Sequence, residues 1–316
     1  MPLSPHTERC STAPQHAPQY AKAVLIYNPQ AGRQRWLRPQ QIQAATEELE
    51  RNGIVVQTQA TTVPGSGTKM ARDAIQDGAD LIVVCGGDGT INELICGMAH
   101  SRVPLAVLPC GTANVLAREL ELPLDVRTAA RAILSATPRR LAMGLAGTRY
   151  FLLMAGVGFD AQIIYNLALR WKNLLGIGSY VLETIRQVLF EPKTAFIVST
   201  EEKRLEATYA CISKSRHYGP FRMVREADLF SESFFVYCFR SRNRLRYFLY
   251  SLALLTGRLD RLPDVIRFPA SKVRFEQTDP ASKKVLFQVD GELAGRLPCT
   301  IEMVPDALTL LVPAAR

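Results

Sequence analysis

The chemistry in this chain is concentrated in one short run, Cys85-Gly86-Gly87-Asp88-Gly89-Thr90-Ile91-Asn92-Glu93. Three glycines surround one aspartate, so backbone can approach a ligand with no side chains in the way. Apolar residues 81–85 lead into the run, and Ile91, Leu94, Ile95 and Met98 leave it at the i, i+3, i+4, i+7 spacing of a helix. A strand-to-helix turn is expected, with N–H groups at the helix N-terminus facing an anion such as phosphate. A carboxylate there repels bare phosphate, so Asp88 makes sense if Mg2+ or a donated proton lies between them. Taken alone, the run also fits a glycine-rich turn in which Asp88 caps the helix.

The elements around it decide between these readings. Apolar runs at 24–27, 54–59 and 105–108 each end in a polar or glycine-bearing loop: Asn28-Pro29-Gln30-Ala31-Gly32, residues 61–67, and Pro109-Cys110-Gly111-Thr112-Ala113-Asn114. Helices are expected over 39–52, 68–77, from the glycine loop to about 99, and from the fourth loop to about 122. Four strand–loop–helix units predict an open, mostly parallel α/β sheet. Ligands of such sheets sit beyond the carboxyl ends of the strands. All four loops then gather at one edge and form a phosphate site. No Gly-Lys-Ser/Thr follows the glycines and no GxGxxG is present, so neither a Walker A loop nor a dinucleotide fingerprint is at hand.

Past Thr137-Pro138-Arg139-Arg140 the texture changes. A hairpin is expected over 141–146 and 149–155, followed by short strands at 195–199, 207–213, 234–240, 272–276, 285–289, 300–304 and 308–312. Helical inserts are expected at about 160–190 and 244–258. This predicts a β-rich, antiparallel, sandwich-like second domain. The chain divides into a disordered tail (1–20), a nucleotide-binding domain (21–140) and a β-rich domain (141–316) whose last residues pack back on the first. Asp290-Gly291 is a tight-turn dipeptide that holds Glu292 at a rigid strand start; a plain hairpin with a solvated Glu292 has the same sequence.

Composition narrows the class. Hydrophobic content of 47% and charged content of 21% fit a soluble globular protein. No apolar run reaches the roughly 18 residues of a membrane-spanning helix. The seven cysteines are scattered without CxxC spacing, which reads as buried reduced thiols in a cytoplasmic protein rather than zinc ligands. The net charge of +9 suits an acidic partner: nucleic acid, nucleotide phosphates or an anionic membrane.

Together the motifs resemble the diacylglycerol/sphingoid lipid-kinase family, in particular its soluble bacterial branch. The resemblance covers residues 21–316. It rests on Asn28-Pro29-x-Ala31-Gly32, Gly86-Gly87-Asp88-Gly89-Thr90-x-Asn92-Glu93, Pro109-x-Gly111-Thr112-x-Asn114, Gly156-x-Gly158-Phe159-Asp160 and Asp290-Gly291-Glu292. The Gly-Gly-Asp-Gly core alone is shared with NAD kinases and phosphofructokinases, whose α/β domain the first domain should resemble. The family implies ATP as phosphoryl donor, Mg2+ as helper and a lipid hydroxyl as acceptor. It implies nucleotide contacts at Asn28, Thr61, Gly86, Gly87, Asp88, Gly89, Thr90, Ile91, Asn92, Glu93, Gly111 and Thr112. Glu292 is then the base and Asp88 acts through Mg2+ and phosphate; Asn92 and Glu93 serve equally as ligands or as braces. An NAD kinase-like or other small-molecule kinase, or a catalytically weak lipid-binding regulator, are the alternatives.

Three departures stand out. Val115 follows Asn114 where many relatives carry Asp. The acidic metal-holding segment common in relatives reads here Glu226-Ala227-Asp228-Leu229-Phe230-Ser231-Glu232-Ser233-Phe234-Phe235, so a structural metal is not expected there. Tyr218-Gly219-Pro220 replaces a glycine-rich run. The apolar stretch from Ile163 to Leu189, with Trp171 between Arg170 and Lys172, reads as a lipid-entry wall or as an insert packed on the β domain. Arginines 240, 242, 244 and 246 followed by Tyr247-Phe248-Leu249-Tyr250 fit peripheral docking on an anionic membrane at the inner face, or a basic helix with a buried side. No nucleic-acid module accompanies the charge, so nucleic acid is not the expected partner.

Overall fold

A computed structural model describes residues 19–32, 34–170, 177–191, 193–218, 221–279 and 284–313. The tail up to residue 18, Trp171, Lys172, Leu174, Leu175 and the Gly219-Pro220 pair lie outside these residues.

The first half runs β1 (Lys22–Tyr27), α1 (Arg38–Glu50), β2 (Val55–Ala60), α2 (Ser66–Gln76), β3 (Leu81–Gly86), α3 (Asp88–Met98), β4 (Pro104–Pro109), α4 (Val115–Glu119) and α5 (Val126–Leu134). Strands β2-β1-β3-β4 are parallel neighbours. β3 and β4 are buried along their whole length, which is why they read as unbroken apolar runs. Alternate residues feed two layers. Leu25, Leu81, Val83 and Leu108 pack with Ala45, Leu49 and Ala129 of α1 and α5. Ile26, Ile82, Val84 and Leu105 pack with Ala71, Leu94 and Ile95 of α2 and α3. Helix α5 is absent from the sequence reading, although Val126, Ala129, Ala130 and Ile133 carry helical spacing and Asp125 caps it by accepting from Thr128 N–H at 2.9 Å.

The second half contains β5 (Thr137–Ala146), β6 (Arg149–Phe151), β7 (Met154–Val157), α6 (Phe159–Arg170), α7 (Ile177–Phe190), β8 (Phe196–Ser199), β9 (Arg204–Ala207), β10 (Tyr209–Ser213), β11 (His217–Tyr218), β12 (Phe221–Arg222), β13 (Phe234–Phe239), α8 (Arg244–Leu255), β14 (Val265–Ala270), β15 (Lys272–Gln277), β16 (Leu286–Val289), β17 (Glu292–Arg296) and β18 (Cys299–Val312). Strands β14-β13-β10-β7-β16-β17 make an antiparallel sheet. Its apolar side meets Phe196, Val198, Phe275 and Ile301 of the other sheet, as in a sandwich.

Two expectations are corrected here. The runs at 300–304 and 308–312 are one strand, β18, with an irregularity at 304–308 where Asp306 takes a positive φ of 49°. β18 pairs in parallel with β4 and antiparallel with β5 and β15, so one ten-stranded sheet continues from the parallel part into the second half. The hairpin at 149–155 splits: β6 pairs with β5, whereas β7 enters the other sheet. The chain changes sheets at Leu152-Leu153. No helix among the described residues is long and apolar enough to cross a membrane.

Candidate active site

β3 delivers the glycine loop to the carboxyl edge of the sheet. Gly87 is the extended residue before α3 (φ −97°, ψ −178°), and no side chain caps that helix. The N–H groups of its first turn are therefore left to a ligand. The loop is clamped by its neighbours. Asn28 donates its backbone N–H to Cys85 O at 3.1 Å and its Nδ2 to Thr90 Oγ1 at 3.3 Å. Gly111, after β4, packs directly on Gly87: a Cβ at 111 would sit 2.5 Å from the Gly87 Cα. Asp88 Oδ1 accepts from Leu116 N–H at 3.3 Å in the first turn of α4. Burial raises the Asp88 carboxyl above its usual range, and backbone N–H groups around 114–116 pull it part of the way back.

Glu292 enters from the other half of the molecule. Asp290 and Gly291 take positive φ (45° and 87°), which is the turn that Asp-Gly favours, and Glu292 begins β17. Its Oε2 accepts from Arg149 Nη2 at 2.7 Å. Its Oε1 lies against Gly89: a Cβ on Gly89 would come within 2.6 Å of it. Arg149, on β6, also reaches Asn92 Oδ1 at 3.1 Å and Leu293 O at 3.2 Å. Beneath this pair the Asp290 carboxylate is buried. It accepts from the N–H groups of Leu152, Leu153 and Met154 at 2.8, 3.0 and 2.9 Å and from Asn92 Nδ2 at 3.2 Å. Burial pushes its carboxyl up to about 6 against these four donors. The sheet-changing corner, the helix of the glycine loop and the turn before Glu292 thus share one carboxylate.

Several residues expected to face the nucleotide have other work. Ile91 is a core side chain, packed with Leu94 and Ile95. Asn92 is buried and spends its amide on Asp290, Tyr150 O and Arg149. Glu93 accepts from the N–H groups of Gly65 and Gly67 at 2.7 and 2.9 Å, tying the 61–67 loop and the start of α2 to α3. For these three the side chain braces the loop, and only backbone is left for a ligand. Thr61 stands two strands away from β3, its N–H on Tyr27 O at 2.8 Å. Thr112 is exposed beside Gly111. Arg149 and the buried role of Asp290 were missed from sequence. Arg149 lies in an ordinary hairpin, and nothing in its spacing marks it.

The degraded acidic segment is engaged elsewhere. Glu226 pairs with Arg267 at 2.8 Å, and the same guanidinium lies 4.2 Å from the Phe235 ring centre. Among the described residues no three His, Cys, Asp or Glu side chains cluster as a metal site.

A second enclosed carboxylate, Asp160 at the start of α6, accepts from Tyr218 Oη and from Gln288 Nε2 at 3.0 Å. Burial pushes it up to about 6. Because the native pKa lies above the unfolded value, the folded protein binds more protons between pH 4 and 6, and this residue's contribution falls as pH rises through that window. The difference in melting temperature between wild type and Asp160→Asn should therefore move against the wild type from pH 4 to 7. A difference that stays constant over that range contradicts the assignment.

Comparison with known proteins agrees with this arrangement. Residues 22–146 match the diacylglycerol kinase catalytic domain, and residues 154–312 match the YegS C-terminal NAD kinase beta sandwich-like domain. A diacylglycerol kinase of Bacillus subtilis (strain 168) is 28% identical over 283 residues, covering 88% of this chain and 91% of that one. A diacylglycerol kinase of Staphylococcus epidermidis (strain ATCC 12228 / FDA PCI 1200) is 26% identical over 300 residues, covering 92% of each. A solved structure from Bacillus anthracis str. Sterne superposes with a TM-score of 0.76 at 24% identity, over 94% of this chain and 98% of that one, and so shares the fold. The chain belongs to the bacterial diacylglycerol kinase family, phosphotransferases with an alcohol group as acceptor.

Proposed function

We propose that this protein is an ATP-dependent lipid kinase that transfers the γ-phosphoryl group to the hydroxyl of a diacylglycerol, a sphingoid base or a related lipid. One observation carries the reading: the Glu292 carboxylate lies against Gly89, in the first turn of the uncapped helix that follows the glycine loop. A proton acceptor and a phosphate cradle meet at one point, which is what phosphoryl transfer to an alcohol needs. In this reading residues 21–140 hold the nucleotide and 141–316 the lipid. Backbone at Gly86, Gly87 and Gly89, with the Thr90 hydroxyl, receives the phosphates; Gly111 and Thr112 form the opposite wall, and Asn28 and Thr61 the flank. Glu292 takes the proton of the acceptor hydroxyl, and Arg149 fixes its carboxylate.

A single carboxylate beside a phosphate cradle suits Mg2+, which commonly takes one or two carboxylates and fills its remaining positions with phosphate oxygens and water. Asp88 is the residue that would hold it, and the ion's contribution is neutralisation of phosphate charge.

The test is incubation with labelled ATP and a bacterial lipid extract. Labelled phospholipid is expected. The NAD kinase-like sandwich in the second half favours one alternative, so NAD is offered in a parallel reaction. Label in NAD and none in lipid overturns the proposal; nucleotide binding with no lipid turnover points to a regulator instead.

The reading puts the protein in the cytoplasm, docking peripherally at the inner membrane face. α7 exposes Val181, Leu182, Ile185 and Phe190, and the adjacent α8 exposes Leu245, Phe248 and Leu252. Arg242 and Arg244, both exposed, stand at the start of α8. An apolar face with a basic rim fits an anionic bilayer. Leu245→Ser/Phe248→Ser should weaken sedimentation with phosphatidylglycerol-containing vesicles about tenfold or more, leaving turnover of detergent-dispersed lipid unchanged. Undiminished vesicle binding contradicts this surface.

A further inference from the structure

The floor of the nucleotide loops holds a pair of thiols that the phosphoryl-transfer chemistry does not use. Cys85 closes the apolar part of β3, one residue before Gly86, and Cys110 follows the last residue of β4, one residue before Gly111. The strands are in register at Gly86 and Pro109, and Cys110 N–H extends the ladder to Gly86 O at 3.0 Å. The two sulfurs are 2.8 Å apart. Cys85 is fully buried, and Cys110 is 8% exposed.

Against them packs Arg38, the first residue of α1, 3% exposed. Its guanidinium donates to Ala31 O at 2.8 Å, Cys110 O at 3.0 Å, Gln41 Oε1 at 2.9 Å and Cys85 Sγ at 3.5 Å. Among the described residues these acceptors include no carboxylate, and Arg38 Nε is buried without a partner. A buried cation without an anion is costly. The groups beside it that can become anions are the two thiols. The hydrogen bond with Cys85 and the Arg38 charge hold the Cys110 thiol below the ordinary range, while the same hydrogen bond and burial push Cys85 well up. Cys110 is thus the nucleophile and Cys85 its resolving partner.

From the paired sulfurs, the unpaired buried guanidinium and their place beneath Gly86 and Gly111, we propose that Cys85 and Cys110 form a reversible disulfide that switches off nucleotide binding under peroxide. The Cys110 thiolate attacks a peroxide oxygen; an S–O bond forms, the O–O bond breaks, and hydroxide leaves to become water. Cys85 then attacks the Cys110 sulfur; the S–S bond forms, the S–O bond breaks, and the second hydroxide leaves with the Cys85 proton as water. The two thiols lose two electrons in total and the peroxide gains them. A dithiol reductant reverses the step by exchange. The bond draws the ends of β3 and β4 together where Gly87 and Gly111 already touch.

The experiment treats the full-length protein with hydrogen peroxide, blocks remaining thiols, and reads peptide mass maps together with binding of a fluorescent ATP analogue. A Cys85–Cys110 cross-linked peptide is expected, with affinity for the analogue reduced at least about tenfold and restored by dithiothreitol. Cys110→Ala, and separately Cys85→Ala, should bind the analogue as wild type does and keep that affinity after peroxide. Both cysteines found reduced in peroxide-treated wild type, or equal loss of affinity in both variants, overturns the proposal. The mass map reads the bond whether or not the acceptor of phosphoryl transfer is a lipid.

Discussion

Glu292→Gln should lower kcat for lipid phosphorylation by about 10²- to 10⁴-fold, the range of a lost general base, with nucleotide affinity near its wild-type value. Glutamine keeps the length and can still accept from Arg149, so the geometry around Gly89 survives while the proton acceptor is gone. Nucleotide affinity is expected to hold because the proposed phosphate cradle is backbone from α3 and the Gly111 loop, which Glu292 meets at Gly89. Gly89→Ala is the companion change. Its methyl meets Glu292 Oε1 at 2.6 Å, so the carboxylate must shift from the position in which it accepts from Arg149. A displacement of this kind should reduce kcat by about 10²-fold without removing the base. Steady-state rates and analogue binding on the same preparations separate the two effects. A Glu292→Gln enzyme with wild-type kcat removes Glu292 from the chemistry.

Asp290→Ala should destabilise the fold by about 3 kcal/mol or more, since three backbone N–H groups and the Asn92 amide lose their acceptor in a buried place. In a chain of this size that lowers the melting temperature by roughly 5 °C or more. Asp290→Asn should not rescue it. Every neighbour of the carboxylate is a donor, so an amide NH2 would face another N–H. The loss should extend to activity, because the same carboxylate aligns the chain before Glu292 and the Asn92 side chain that accepts from Arg149. Thermal denaturation of both variants at pH 7 is the check. Melting within a degree or so of wild type would mean that water replaces the carboxylate at no cost.

Much of this was legible in the sequence, and the reasons differ by region. The parallel half could be read because β1, β3 and β4 are buried on both faces and the loops follow the strands directly. The glycines, Asp88 and the Asp-Gly turn are local signals, each tied to backbone conformation. What the sequence did not display is long-range. Asn92 and Glu93 look like ligands because they sit in the motif, yet their partners, Arg149 and Asp290 for one and the amides of Gly65 and Gly67 for the other, come from distant parts of the chain. Arg149 carries no local mark at all. β18 looked like two strands because Pro305 and Asp306 interrupt its apolar pattern, whereas pairing on both sides keeps it continuous. That continuity joins the two halves and brings Glu292 to the glycine loop. Cys85 and Cys110, scattered in sequence, meet only because β3 and β4 are neighbours.

In the proposed site a carboxylate from the second half and a phosphate cradle from the first act together as one lipid kinase. Its most direct test is the initial rate of γ-phosphoryl transfer from ATP to diacylglycerol or a sphingoid base in mixed micelles, with NAD as parallel acceptor, for wild type and Glu292→Gln. Labelled lipid is expected from the wild type, little from the variant, and no labelled NAD from either. Equal lipid labelling by both proteins, or label appearing in NAD alone, contradicts the proposed site.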